Sequence, residues 1–362
     1  MKNSFGNQIT VTLFGESHGE MIGAVIDGLA PGIAVDFDAI NDKLTKRRPS
    51  GRISTSRRES DDYKIVSGIL RGVTTGTPLT ILIPNESTRS CDYSALENTP
   101  RPGHADYAAT CKYHGYEDKR GGGHFSGRIT AALVAAGAVI GAALEKKGIR
   151  IGTHISYLCG IRDRGFENYS EDISLLNNRT FPVLDTVSED EMKAVIESAA
   201  TAGDSVGGIL ETVICGVPAG VGEPWFDSVE GCLSHILFSV PGIKGVEFGA
   251  GFASANMCGS EMNDAFITDG KKIATKTNNN GGINGGITNG MPILLRCAVK
   301  PTPSIYKKQR TVNLSDMTEC QLEIGGRHDP AIIHRARAVV DAVCAIAIAD
   351  LLTVRYGSDY LA

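Results

Sequence analysis

The 362-residue sequence predicts an α+β fold, and three observations carry that expectation. Segments with strand character come in clusters. The strongest helical segments stand between those clusters or after them. The regular strand–helix–strand alternation that a doubly wound parallel sheet requires is missing.

The elements follow in chain order. Residues 8–14 (QITVTLF) alternate and are rich in β-branched side chains, which reads as a strand. Residues 21–29 (MIGAVIDGL) read as a second, ended by Pro31 and Gly32. Asp36 is suited to cap a short helix in VDFDAINDKLTKR, whose cations gather at the C-terminal end, where the helix dipole favours them. Pro49 stops that helix. Strands are expected at 63–71 and 79–84, around the turn GVTTGTP. The stretch RITAALVAAGAVIGAALEKKG (128–148) is apolar nearly all round and ends in two lysines and a glycine, which predicts a buried helix. Ser188 to Glu191 has the pattern of a capping box before a helix in EMKAVIESAA. Strands are expected at 207–218 and in MPILLRCAVK (291–300). The longest helix is expected over 328–352, with Asp329 as N-cap and Pro330 as its first residue. No repeat and no linker marks a boundary, so residues 1–362 read as a single domain.

Composition narrows the function classes. The formal net charge of −5 argues against a general nucleic-acid binder, and local basic clusters on that acidic background point to a small anionic ligand. No run approaches the ~18 apolar residues of a spanning helix, so no membrane role is expected. The start, MKNSFGNQIT, lacks the apolar stretch of a secretory signal. Nine cysteines are scattered singly without C-x-x-C spacing, which predicts reduced thiols in the cytoplasm and neither disulfides nor a metal site. Glycine stands out at 43 residues, roughly 12% against a usual ~7%.

Five short segments carry possible chemistry. FGESHG (14–19) fits the G-x-S-x-G pattern of serine hydrolases around Ser17. The segment after it is too short and too strand-like for the helix that a nucleophile elbow requires, so a hairpin loop accounts for Ser17. KRRPSGRISTSRR (46–58) is either a solvated surface loop or a clamp of guanidinium groups for a substrate with several anionic groups. RPGHADY (101–107) holds a histidine in a turn beside an arginine, a setting for a general acid. RGGGHFSGR (120–128) stands before the buried helix. Its glycines serve either an anion site of free backbone N–H groups or close helix packing. Arg128-Ile129 where a Walker loop needs Lys-Ser/Thr, and Ser126 where G-x-G-x-x-G needs glycine, exclude the usual nucleotide motifs. NNNGGINGGITNG (278–290) is either disordered or an ordered strand pair against which a flat ring lies.

FGESHG, RPGHADY, RGGGHFSGR, VPGIKGVEFGAGF, NNNGGINGGITNGMPI, KPTPSI and GRHDP occur in the order found in chorismate synthases, over nearly the whole chain. The sequence resembles that family. The resemblance implies helices packed between two antiparallel sheets, assembled as a homotetramer. It implies conversion of 5-enolpyruvylshikimate 3-phosphate to chorismate and phosphate, the last step of the shikimate pathway. The reaction is a 1,4-anti elimination that needs reduced FMN without net redox change. NADPH enters only through flavin reduction, and with no extra domain a separate flavin reductase is expected. The family assigns His18 to protonate the departing phosphate, His104 to act on the flavin ring, and Asp329 to relay the proton. FMN would be held by Phe125, Ser126, Gly127, Gly242, Gly285, Lys300, Pro301, Thr302, Pro303, Ser304 and Arg327. Arg47 and Arg52 would meet substrate or NADPH, with Arg128 as a further anion-binding residue. This chain has Pro241-Gly242 where the family has Asn-Ala, so contacts there rest on backbone.

Overall fold

A computed structural model describes residues 2–49, 51, 53–55, 59–86, 98–326 and 328–362. Arg52 and Arg327 lie outside the described residues.

Two five-stranded antiparallel sheets frame the molecule. The first holds β1 (Ser4–Phe5), β2 (Thr10–Gly15), β3 (Met21–Asp27), β4 (Lys64–Ser67) and β5 (Leu79–Pro84), in the order β1-β2-β3-β5-β4. The second holds β6 (Arg150–Leu158), β7 (Ile161–Arg162), β8 (Gly208–Cys215), β9 (Ile243–Phe248) and β10 (Ile293–Val299), in the order β9-β10-β8-β6-β7. The helices are α1 (Phe37–Arg47), α2 (Asp106–Tyr113), α3 (Thr130–Lys146), α4 (Tyr169–Asn178), α5 (Thr186–Thr201), α6 (Val229–Leu237), α7 (Gly259–Met262) and α8 (Ile333–Tyr356).

The layering follows from the two most apolar helices. Both α3 and α8 are buried along nearly their whole lengths. A helix that is apolar all round needs cover on every side. Here α3 packs on the first sheet, α8 on the second, and the two pack on each other with α1 alongside. The result is sheet, helices, sheet, sharing one hydrophobic core. Polar ties fix α8 to both sheets. Asp341 accepts from Thr153 of β6 at 2.7 Å. Asp350 accepts from the backbone N–H groups of Asn7, Gln8 and Ile9 at 2.7–3.0 Å.

The approach of α3 to α8 depends on a missing side chain. A Cβ at Gly137 would stand 2.4 Å from the Ala342 Cβ. Gly137→Ala should therefore destabilise the protein by about 1–3 kcal/mol, the usual cost of overpacking a core. Urea denaturation checks this, and a loss under about 0.5 kcal/mol would mean that the helix pair separates freely.

The second sheet carries a row of alternating charges on the face away from α8. Glu211 lies opposite His154 on one side and Arg296 on the other, and Arg296 opposite Glu247. His154 is fully buried and bonds Asp163 at 2.8 Å and Glu211 at 3.1 Å. Burial pushes its pKa down, but the two carboxylates outweigh that and raise it above the ordinary value. A raised folded pKa contributes stability that is fully present below the unfolded value, about 6.5, and is lost as pH rises through the folded value. The stability gap between wild type and His154→Gln should thus be larger at pH 6 than at pH 9 in denaturant titrations. A gap that grows with pH would contradict this.

Three expectations need correction. The helix expected from the Ser188 capping box begins earlier, at Thr186, with Asp185 as N-cap accepting from Val187 N. Ser188 Oγ instead donates to Asp163, which also draws in the N–H groups of Leu184 and Asp185. The last helix begins at Ile333 without a side-chain cap. Pro330 is held outside it because its carbonyl accepts from Val206 N, and Asp329 bonds elsewhere. Finally, Gly127–Lys146 is long and apolar enough to cross a membrane by length and composition, although no such run was expected. Its most apolar window is 83% buried, which makes it a core helix. By contrast, Asp36 caps α1 as expected, accepting from Ala39 N at 2.9 Å.

Candidate active site

A cavity of about 640 Å³ opens where the first turn of α8 meets the loops that follow α1, α6 and β10. Its size suits a cofactor with a substrate. Its wall brings together residues far apart in sequence: Arg47 at the end of α1 with Thr55 and Asp61 after it, Gly103 to Ala105, Gly121 and Phe125 to Arg128, Phe238 to Lys244, Lys300 to Ser304, and Asp329 with Arg335 at the start of α8.

His104 stands on this wall, in the turn before α2. Its Nδ1 lies 2.5 Å from Asp106 Oδ1. Arg101 donates to both Asp106 oxygens from Nε and Nη2, at 2.8 and 2.7 Å. An ionised carboxylate only accepts, so at this distance Nδ1 carries the hydrogen toward Asp106, and Arg101 Nη2, which also stands 3.0 Å from Nδ1, donates to the same carboxylate. Burial pushes the Asp106 carboxyl up, but Arg101 and His104 override it and hold the carboxyl well below the usual range. Asp106 therefore stays ionised and fixes the imidazole, leaving Nε2 for chemistry.

Asp329 also lines the cavity. Released from the expected capping role, it accepts from Arg335 Nη1 at 2.6 Å and from Thr55 N at 2.8 Å. Arg335 in turn donates to the Arg47 carbonyl.

The basic clusters are organised by a residue that sequence reasoning missed. Asp61 is fully buried and pairs with Arg47, Arg48 and Arg128. Burial raises the Asp61 pKa, yet the arginines bring it below its ordinary value. Arg128 donates to Asn85 Oδ1, Asp61 and the Pro84 carbonyl. Arg47 donates to Thr130 Oγ1, Asp61 and the carbonyls of Gly127 and Arg128. These two guanidinium groups are committed to the protein, so they offer no open fork. Among the described lining residues five cations (Arg47, Arg128, Lys244, Lys300 and Arg335) stand against three carboxylates (Glu59, Asp61 and Asp329), which leaves the wall a formal +2 (5 − 3). Anions are attracted by that field. Asp61 was legible only as an acid following an arginine-rich run. Arg335 and Lys244 resemble ordinary surface cations in the sequence.

Of the residues expected to hold a cofactor, Phe125, Ser126, Gly127, Gly242, Lys300, Pro301, Thr302, Pro303 and Ser304 all line the cavity. The fit has a direct mark: the Thr302 Oγ1 atom is buried with no hydrogen-bond partner among the described residues. Lys300 Nζ donates to the Gly103 carbonyl, tying the KPTPS segment to the His104 turn. Gly285 does not line the cavity. It sits in the turn of a short hairpin, Ile283–Asn284 with Ile287–Thr288, whose Gly286 carbonyl accepts from the start of α6, while the cavity meets the other end. That segment is ordered as a strand pair, and none of its residues lines the cavity.

His18 is also not on the wall. It is buried in the turn between β2 and β3, behind Gly121, which does line the cavity. A strand follows this turn, so the hydrolase elbow is excluded. A comparison with known families decides the matter: the chorismate synthase family matches residues 9–353.

The chain belongs to the chorismate synthase family.

The chorismate synthase of Thermococcus gammatolerans is 47% identical over 350 residues, covering 97% of each chain. That of Methanocella arvoryzae is 46% identical over 351 residues, covering 96% of this chain and 93% of its own. A solved structure titled as a crystal structure of chorismate synthase matches with a TM-score of 0.76 at 27% identity, over 98% of this chain and 94% of its own. The sheet–helix–sheet architecture is thus the chorismate synthase fold. Of that family's motifs in this sequence, RPGHADY, FSGR, VPGIKG, KPTPS and the Asp329 end of GRHDP converge on one cavity, while FGESHG stands behind it.

Proposed function

We propose that the protein eliminates phosphate from 5-enolpyruvylshikimate 3-phosphate to form chorismate, as a single-domain, phosphate-eliminating lyase that requires reduced FMN. The observation that carries this reading is the convergence of His104, Asp329, residues 125–127 and residues 300–304 on one cavity with a net positive wall. The substrate bears two carboxylates and a phosphate, which the field of Arg47, Arg128, Lys244 and Lys300 attracts.

Reduced FMN, when bound, supplies electron density to the breaking allylic C–O bond. The 125–127 and 300–304 segments would hold it, with the Thr302 hydroxyl as an available polar contact. The protein's own residues manage protons. His104, held through Nδ1 by Asp106, keeps Nε2 for proton transfer at the wall. The Asp329 carboxylate, held by Arg335, is suited to pass on the proton lost from C6. His18 stands behind Gly121, a position of the wall without a side chain, and is the acid for the departing phosphate across that gap. No net oxidation occurs, since one proton and one phosphate leave. NADPH acts only through a separate flavin reductase. The protein works in the cytoplasm as a homotetramer, with neither nucleic acid nor membrane as partner.

The test is anaerobic incubation with the substrate and chemically reduced FMN, following chorismate absorbance. Product with reduced but not oxidised FMN supports the proposal. No product with reduced FMN overturns it. Product from NADPH and oxidised FMN alone would instead show intrinsic flavin reduction.

A further inference from the structure

The glycine run 121–123 bears directly on two histidines. Gly121 and Gly122 both have positive φ, +60° and +82°, and each stands against one histidine. A Cβ built at Gly121 would lie 2.0 Å from His18 Nδ1 and 2.1 Å from its Cε1. No real pair of atoms approaches that closely without bonding, so the imidazole edge occupies the space of a side chain at 121. At Gly122 the fit is looser: a Cβ would meet His104 Cε1 at 3.3 Å and Nε2 at 3.5 Å.

His18 cannot retreat easily from such a group. Ser17 N donates to the Gly123 carbonyl at 3.1 Å, and His124 Nδ1 lies 2.8 Å from the Gly15 carbonyl. On the other side, Asn85 Nδ2 donates to the carbonyls of both Glu16 and Gly19 at 2.9 Å. The turn is clamped onto the glycine run, and Gly121 is itself part of the cavity wall.

We propose that Gly121 is a positioning residue. By lacking a side chain it lets the His18 imidazole press against the cavity-wall backbone, and with Gly122 behind His104 it sets both histidines on one short backbone run. This rests on the elimination proposed above, in which His18 is an acid.

The test is a double-mutant cycle read in both rate and melting temperature. Gly121→Ala should lower the elimination rate by ~10²-fold, matching His18→Ala, because both remove one general acid. Gly122→Ala carries the same positive-φ strain without the collision and should cost less than ~10-fold, since His104 need yield only a few tenths of an ångström. In the His18→Ala background, Gly121→Ala should cost less than ~3-fold further, and its melting-temperature penalty should fall to that of Gly122→Ala, since only the positive-φ strain then remains. If Gly121→Ala alone fails to fold but the double variant folds, the collision is demonstrated. Equal penalties in both backgrounds, failure of both to fold, or a wild-type rate for Gly121→Ala would overturn the proposal. The melting-temperature cycle reads the contact even if the wild type forms no chorismate, so failure of the elimination reading is separable.

Discussion

Asp61→Ala should cost about 3–5 kcal/mol of stability, the usual penalty for removing one partner from a buried charge cluster. Three guanidinium groups converge on this carboxylate, and two of them belong to almost fully buried arginines. Without Asp61, Arg47 and Arg128 keep their carbonyl and side-chain acceptors but face one another's charge in a site that water reaches poorly. The effect should depend on pH with a defined sign. The folded pKa of Asp61 lies below its ordinary value, so its contribution is present above about pH 4 and is lost as pH falls through the folded value. Urea denaturation of wild type and variant at pH 7 and pH 3.5 measures both quantities. A difference at pH 7 below about 1 kcal/mol would show that the arginines relax into solvent. A difference that widens in acid would show that the ion pairs are not its source.

His104→Ala should lower the elimination rate by ~10²-fold or more, in the range of general acid–base contributions. Among the described lining residues His104 is the one histidine, and its orientation is fixed by Asp106. Asp106→Asn should produce a smaller loss together with a changed pH–rate profile, because the amide no longer holds a charge beside Nδ1. Single-turnover assays with saturating reduced FMN separate these losses from cofactor binding. Unchanged turnover in His104→Ala would move the proton transfer to Asp329 or His18.

Much of this was legible in the chain. Local rules sufficed where the deciding interactions are local. Asp36 caps α1 because its carboxylate needs only the N–H of Ala39, three residues on. The apolar, lysine-ended stretch became α3 because periodicity and stop signals act within one helix. The caps Asn168 and Ser228 of α4 and α6 carried the same kind of signal and were overlooked. Local rules failed where a distant partner offered more. Asp329 has the pattern of an N-cap but forms a charged bond to Arg335 and accepts from Thr55, 274 residues away in sequence. Ser188 looks like a cap but donates to Asp163.

The motifs themselves identified the family without coordinates, and they singled out residues 300–304 and 125–127, contiguous runs that the fold places on the cavity wall. Folding alone settled what each charged or imidazole group faces. Arg47 and Arg128 read as anion-binding candidates, yet donors of both turn inward to Asp61. His18 is the acid that the family resemblance implies, yet it lies behind Gly121 and off the cavity wall. Gly285 reads as part of the site, yet its hairpin meets the opposite end of α6. Short-range patterns specify backbone conformation and composition. Which side chains share a buried volume depends on long-range packing, and there the cost of an unpaired buried charge outweighs any local preference.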